Sequence, residues 1–265
     1  MTGSPENAGP EAGQEQPFIS HLLELRTRLL RIVVVIVVLI GVLSPFANTL
    51  YTLLAGPLLA HLPKGSQMIA IEVSAPFMAP FKLAAVLAVF IAIPYVLYQI
   101  WGFIAPGLYK HERRMAVPLV VTSTVLFYLG AAFAYFVVFP VMFKFLSSTV
   151  PEGVAMMTDI NHYLDFTLSL FVAFGVAFET PVATFLLIWM GVVKIEKLVA
   201  MRSYIIVIAF VIGAILSPPD PVSQTMMALP IWLLFELGLW SARLFMRNRP
   251  AAETGTEVSI KPPSE

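Results

Sequence analysis

The sequence predicts an all-α integral membrane protein with six transmembrane helices, of which the fifth and sixth are short spans. Only 12% of the residues are charged and 58% are hydrophobic, whereas a soluble domain has about 25% charged residues. The mean hydropathy of +0.86 comes from several long apolar runs, with no large polar block between them. Lipid is therefore the expected solvent for most of the chain.

Six apolar runs approach the ~20 residues that cross a hydrocarbon core about 30 Å thick. The predicted spans are residues 29–46, 77–98, 115–139, 163–190, 203–216 and 222–242. At a rise of about 1.5 Å per residue, a helix over the fifth run is only roughly 21 Å long. Such a short span implies local thinning of the bilayer, or burial behind neighbouring helices. In an alternative, the same helix begins earlier, near Leu198.

The basic residues fall unequally on the two sides of the predicted spans. Only Lys64, Lys82 and Lys144 fall on one side. The other side carries Arg26, Arg28, Arg31, Lys110, Arg113, Arg114, Lys194, Lys197, Arg202, Arg243, Arg247, Arg249 and Lys261. Because cytoplasmic loops are enriched in Lys and Arg, we expect both termini and the second and fourth loops to face the cytoplasm.

The two ends of the chain differ in composition from the rest. Residues 1–16 and 248–265 are rich in Gly, Pro and polar side chains, a composition typical of disordered tails. The first of them is acidic, unlike the basic start of a signal peptide, so we expect it to be retained. Residues 17–247 then form one six-span membrane domain.

Glu179 lies past the middle of the fourth predicted span, where an ionisable side chain costs a few kcal/mol. Pro181 follows it and removes the helical hydrogen bond to the carbonyl group of Ala177. In one interpretation, Glu179 is a protonated acid that bonds a neighbouring helix and only stabilises the bundle. In the functional interpretation, it marks a polar concavity within the membrane, for a proton relay or a polar ligand.

A proline-rich segment, residues 217–221, joins the fifth and sixth runs and predicts a stiff turn. Asp220 in this segment suits an N-cap of the sixth helix. Ser217, Gln224 and Thr225 place neutral hydrogen-bonding groups near the outer ends of both helices. Pairing within the chain and docking of a partner helix both fit such groups.

Two carboxylates are expected at the cytoplasmic face. Glu24 lies four residues before Arg28, the spacing of an ion pair along one helix. Glu112 lies among basic residues at the start of the third span, and Phe103 precedes it in the same inside loop. Two such carboxylates would suit a ligand with adjacent arginines. The surrounding basic residues also fit a simpler role in topology and in contact with anionic headgroups.

The sequence lacks the common catalytic motifs. It has no Gly-rich phosphate loop, no His-Glu-x-x-His zinc motif and no Gly-x-Ser-x-Gly elbow. It has no Cys, and its four His fall outside the predicted spans. We therefore expect no catalytic residue, no metal and no cofactor, and we find no basis for nucleic-acid binding. A transport or assembly function is favoured over an enzyme.

Four segments, in this order along the six-span layout, resemble hallmark segments of the TatC family of the twin-arginine protein translocase. They are residues 21–26 (HLLELR), 103–114 (FIAPGLYKHERR), 173–181 (AFGVAFETP) and 217–220 (SPPD). The resemblance extends from about Pro17 to Arg247 and implies a multi-pass protein of the bacterial inner membrane, surrounded by lipid. It also implies a concave face within the membrane, which would contain Glu179.

The resemblance implies a core receptor that binds the Arg-Arg signal peptides of folded proteins. Such a receptor organises the single-span subunits TatA and TatB for export driven by the proton motive force, and it assembles as a homo-oligomer within the receptor complex. On the family pattern, Glu24 and Glu112 meet the paired arginines of the signal, with Phe103 beside them.

Four further positions match the family pattern. Pro57 and Asp220 correspond to positions whose alteration impairs transport, and Ser217 and Gln224 to a cluster where TatB or TatA docks. Ser217 departs from the Thr that is common in the family, but it keeps the hydroxyl group.

Two other classes of function stay open on the sequence. The first is a proton-coupled secondary transporter that uses Glu179 as its proton site. The second is an intramembrane hydrolase, which would need a reactive nucleophile.

Overall fold

The computed structural model describes residues 12–59, 67–104, 116–149, 157–216 and 221–247. Within these ranges the chain is helical apart from short turns and two strands of three residues each. Five helical segments are long and apolar enough to cross a membrane, and a sixth apolar helix is shorter. They are Ile19–Leu53, Ala75–Ile104, Val117–Leu146, Ile160–Trp189 and Pro221–Leu244, with Arg202–Leu216 as the shorter helix. Each one overlaps a predicted span.

The regular elements follow one another in a simple order. They are α1 (Ala12–Leu43), a 3-10 turn (Ser44–Phe46), α2 (Ala47–Leu59), β1 (Gln67–Ile69), α3 (Ala75–Ile104), α4 (Ala116–Phe133), a π-helical turn (Ala134–Val138), α5 (Phe139–Ser148), β2 (Met157–Asp159), α6 (Ile160–Ala177), α7 (Thr180–Trp189), α8 (Ile195–Ala200), α9 (Arg202–Leu216) and α10 (Pro221–Arg247).

The first helix begins earlier than the sequence predicts. It starts at Ala12, inside the segment 1–16 that we expected to be a tail. Residues 12–16 are Ala, Gly, Gln, Glu and Gln, and all of these except Gly have good helix propensity, so they extend the helix that follows. The remainder of that segment and all of the segment 248–265 lie outside the described residues.

The fifth and sixth spans differ from each other in length. Helix α9 has 15 residues, which corresponds to about 22 Å, so the short fifth span is confirmed. Its predicted alternative start near Leu198 is wrong, because that residue belongs to the separate helix α8 and Met201 turns the chain. Helix α10 has 27 residues and is longer than the short sixth span we expected. It continues through Pro230 and ends only at Arg247.

Helices α4 and α6 approach each other closely because glycines lie at their contact. A side chain at Gly130 would begin 2.4 Å from the backbone oxygen of Phe174. A side chain at Gly175 would begin 2.6 Å from the ring of Phe127. Small residues at helix contacts allow this packing in membranes, where lipid gives no hydrophobic drive for helix association.

The two strands connect loops that are far apart in sequence. Strand β1 pairs in parallel with β2, so that Gln67 lies opposite Met157 and Ile69 opposite Asp159. Asp159 also caps helix α6, because its carboxylate accepts the backbone N–H of His162 at 3.2 Å. It accepts the N–H of Ile71 as well, at 3.2 Å. These bonds, the Ile71 N–H first and then the His162 side chain, lower the pKa of Asp159. We call this side of the bundle the strand end.

Candidate functional site

The opposite side of the bundle, which we call the basic end, contains Arg28 at the centre of a polar network. Arg28 donates to Glu24 Oε1 from Nε at 3.0 Å and from Nη2 at 2.6 Å. Its Nη1 donates to Gln99 Oε1 on helix α3 at 3.2 Å. Gln99 in turn donates to the hydroxyl oxygen of Tyr95 at 2.7 Å. The structure therefore contains the predicted Glu24–Arg28 pair and ties it to the second span.

Gly102 makes room for the guanidinium group of Arg28. A Cβ atom at this position would lie 2.5 Å from Arg28 Nη1, so the guanidinium group lies directly over the backbone of helix α3. The contact explains how a charged side chain from α1 can reach the buried Gln99.

Phe103 lies in the same cluster. Its ring stacks on the imidazole of His21, with 4.1 Å between the ring centroids and 17° between the planes. His21 Nδ1 lies 3.9 Å from Glu24 Oε2. The structure thus brings Glu24 and Phe103 together through His21. Glu112, the second predicted carboxylate, lies outside the described residues.

Glu24 keeps free capacity to accept a cation. Both bonds from Arg28 end on Oε1, and Oε2 accepts no hydrogen bond from the part of the chain that the structure describes. The Glu24 side chain is 35% exposed. A carboxylate with one open oxygen at the protein surface can accept a further guanidinium group.

Glu179 lies at a break in the fourth span. Helix α6 ends at Ala177 and α7 begins at Thr180, with Pro181 in its first turn. Since Pro181 has no N–H, the helical hydrogen bonding cannot continue through this point. Both carboxyl oxygens of Glu179 are covered by protein and make no well-formed hydrogen bond among the described residues.

Ser123 of helix α4 is the polar side chain beside the Glu179 carboxyl group. It is completely buried and accepts a hydrogen bond from Trp101 Nε1 of α3 at 3.1 Å. Three spans therefore meet at Trp101, Ser123 and Glu179. Of these three residues only Glu179 is recognisable in the sequence, because neither Ser nor Trp is unusual in a membrane span.

The remaining predicted residues are less completely described. Ser217 and Asp220 lie outside the described residues, and Pro57 lies within helix α2. Gln224 donates from Nε2 to the backbone oxygen of Phe210 on α9 at 2.9 Å. Thr225 donates to the backbone oxygen of Pro221 at 2.6 Å. Both side chains are therefore paired within the chain.

An ion pair between the last two spans was missed in the sequence. Arg202 Nη2 donates to Glu236 Oε2 at 2.6 Å. Antiparallel helices place residues side by side when they are equally far from the connecting turn. Arg202 and Glu236 are nearly the same number of residues from the 217–220 turn, and this spacing is the signal that could have found the pair.

A second missed ion pair, near the strand end, joins Lys82 of α3 to Asp165 of α6. The sequence assigned Lys82 to the outer side of the membrane, but its partner lies in a helix far along the chain. No local spacing rule connects the two residues, so only the folded structure shows the pair.

Comparison with known proteins identifies the family. The family model described as the Sec-independent protein translocase protein TatC matches residues 20–230. The chain belongs to the TatC family. TatC of Azotobacter chroococcum mcd 1 is 56% identical over 249 residues, covering 94% of this chain and 98% of that protein. TatC of Escherichia coli K12 is 52% identical over 237 residues, covering 88% and 92% respectively.

A solved structure supports the same assignment. The crystal structure of a twin arginine translocase receptor, TatC, superposes on this chain with a TM-score of 0.77 at 40% sequence identity. It covers 86% of this chain and 100% of the crystallised chain. This TatC protein is therefore a six-span, helical membrane subunit of a Sec-independent protein translocase, which confirms the predicted family and fold class.

Proposed function

We propose that this TatC protein is the receptor subunit of the twin-arginine translocase in a bacterial inner membrane. It binds the Arg-Arg signal peptides of folded proteins at the basic end, which faces the cytoplasm. It then organises TatA and TatB for export driven by the proton motive force, as a homo-oligomer within the receptor complex. The chain itself performs no bond-making chemistry.

The Oε2 atom of Glu24 carries the proposal, because it accepts no hydrogen bond among the described residues and lies 3.9 Å from the imidazole of His21. One arginine of the signal binds this oxygen, and the second binds Glu112. A guanidinium group presents paired N–H donors in a rigid, planar arrangement. It therefore suits a carboxylate that has one oxygen without a hydrogen bond. The ring of Phe103, stacked on His21 close to Glu24, completes the surface with an aromatic face. Arginine side chains pack favourably on such faces.

In this proposal, Glu179 supplies the polar group of a concave membrane face along which the apolar part of the signal lies. Because both of its carboxyl oxygens are covered, a guest peptide reaches them only when neighbouring side chains move.

Partner subunits dock at Ser217 and Gln224, and Gln224 has an amide oxygen that accepts no hydrogen bond within the described ranges. Pro57, which lies within helix α2, and Asp220 belong to the segments that support these sites.

Site-specific photocrosslinking to an Arg-Arg signal peptide, in membranes that contain the whole translocase, tests the proposal. Charge reversal by Glu24→Lys or Glu112→Lys should abolish the crosslink, because each change places a cation where a guanidinium group binds. Glu196→Lys is the matched control, since Glu196 is an exposed carboxylate at the same end of the bundle. It should leave the crosslink unchanged.

The same experiment separates the proposal from a proton-coupled transporter based on Glu179. A transporter of that class has no need of the two carboxylates at the basic end. Crosslinks that persist in both charge-reversal variants, with the proteins folded and inserted, would refute the receptor function. Co-purification of TatA, TatB and Arg-Arg precursors in mild detergent would give independent support.

A further inference from the structure

Helices α1 and α3 leave a groove between them on the outer surface of the bundle. Its lining consists of Thr27, Leu30, Arg31, Val34, Val35 and Tyr95, and we call it the α1–α3 groove. The side chains at its surface are accessible, with Leu30 53% and Val34 58% exposed. Helix α1 is the outermost span, and no residue in its most apolar stretch is buried. The groove therefore opens towards lipid.

Arg31 is a charged residue within this apolar setting. It lies beyond Leu29, where the first apolar run begins, and its side chain is exposed. It forms no ion pair or hydrogen bond with any described residue, whereas Arg28 on the same helix is fully engaged. An unpaired guanidinium group at the edge of the hydrocarbon layer is costly, and an anion beside it lowers this cost.

The register of the two helices places a second polar group beside Arg31. The bond from Arg28 to Gln99 aligns the helices at one level. Because α1 and α3 run in opposite directions, Arg31 and Tyr95 both lie about one turn further into the membrane. The hydroxyl oxygen of Tyr95 accepts from Gln99, and its own hydrogen has no acceptor among the described residues. A charged donor and a neutral donor thus line the groove at about one level, with Thr27 about one turn further out.

Apart from Thr27, whose hydroxyl group donates to the backbone oxygen of Leu23, the rest of the groove is apolar and follows the direction of the helices. Leu30, Val34 and Val35 carry hydrocarbon side chains only, and they extend from the level of Arg31 towards the middle of the membrane. Such a surface, about 8 Å long at a rise of about 1.5 Å per residue, fits the first part of a single acyl chain. The groove therefore combines a site for an anion with a site for a hydrocarbon tail.

We propose that the α1–α3 groove binds one anionic phospholipid from the leaflet at the basic end. Its phosphate accepts hydrogen bonds from Arg31 and Tyr95, and one acyl chain lies along Leu30, Val34 and Val35. The lipid fills the space between the exposed first span and the rest of the bundle. This inference does not depend on the receptor function, because neither Arg31 nor Tyr95 belongs to the proposed signal-peptide site.

Native mass spectrometry of the purified full-length protein, titrated with phosphatidylglycerol in mild detergent, tests the proposal. Arg31→Gln should weaken binding about fivefold, the loss expected for one arginine near a charged headgroup. Val35→Trp should weaken it as well, since the indole ring fills the apolar part of the groove while every charge is kept. Arg31→Lys should retain most of the binding.

Arg26→Gln is the matched control, because Arg26 is an exposed cation of the same helix that does not line the groove. It should leave binding unchanged. Equal losses in Arg26→Gln and Arg31→Gln would show diffuse charge attraction and overturn the proposal. So would equal binding of phosphatidylcholine, or displacement of the lipid by inorganic phosphate. Thermal melting of each variant confirms that it is folded.

Discussion

At the scale of single residues, Arg28 connects the groups on which the proposed receptor site depends. Its pairing with Glu24 follows from their spacing along one helix, so the sequence predicts it. Its contacts with Gln99 and Gly102 join two spans. No local pattern in the sequence predicts such contacts, because Gln and Gly near a helix end have many ordinary roles.

Arg28 and an incoming signal arginine compete for the same carboxylate. Arg28→Gln should therefore tighten binding of an isolated Arg-Arg peptide at low salt. The expected gain in affinity is about twofold, which corresponds to the free energy of one exposed ion pair along a helix. High salt should remove the difference. Fluorescence anisotropy of a labelled peptide in detergent measures the affinity. Arg26→Gln serves as the control. Weaker binding in Arg28→Gln would instead mean that Arg28 positions Glu24.

At the scale of whole helices, the spans were predictable and their mutual approach was not. Long apolar runs fix where each helix crosses the membrane, and Pro181 indicates the break between α6 and α7. The closeness of α4 to α6 depends on Gly130 meeting the backbone of Phe174. A glycine within an apolar run is compatible with an open helix face as well as a tight contact, so the sequence leaves that choice open.

Gly130→Ala tests the tightness of this contact. The new methyl group would lie 2.4 Å from a backbone oxygen that cannot rotate away, so the two helices must separate. We expect a loss of about 1–3 kcal/mol in unfolding free energy, measured by denaturant titration in detergent. Gly41→Ala is the control, because nothing lies within 4 Å of its added methyl group. It should stabilise the protein slightly through helix propensity.

At the scale of the whole molecule, the distribution of basic residues predicts the orientation. The described helices separate the basic end, with Arg28 and Arg202, from the strand end. The sequence places Glu24 and Phe103 at one face, and the two side chains do lie together around His21, while their role in binding stays a prediction. The ion pairs between spans were not predicted from the sequence, because each of them depends on how helices far apart in the chain align.

The orientation can be checked by cysteine labelling, since the natural chain has no cysteine that would give a background signal. Glu72 and Lys197 are exposed at the strand end and the basic end respectively. In right-side-out membrane vesicles, an impermeant maleimide should label Glu72→Cys and leave Lys197→Cys unlabelled until detergent is added. This labelling pattern would mean that both termini lie in the cytoplasm, as the distribution of basic residues predicts. The reverse labelling pattern would contradict the proposed topology.

The parallel pairing of β1 with β2 also constrains how the protein is made. A ribosome delivers β1 long before β2, and the partners Ile71 and Asp159 are 88 positions apart. The pairing therefore forms only after α3, α4 and α5, which separate the two strands in the sequence, have been synthesised. Until then, the backbone groups of β1 must bond to water. The strand pair thus closes later than the contacts within the intervening helices α3, α4 and α5, and it connects the segment before α3 to the segment before α6.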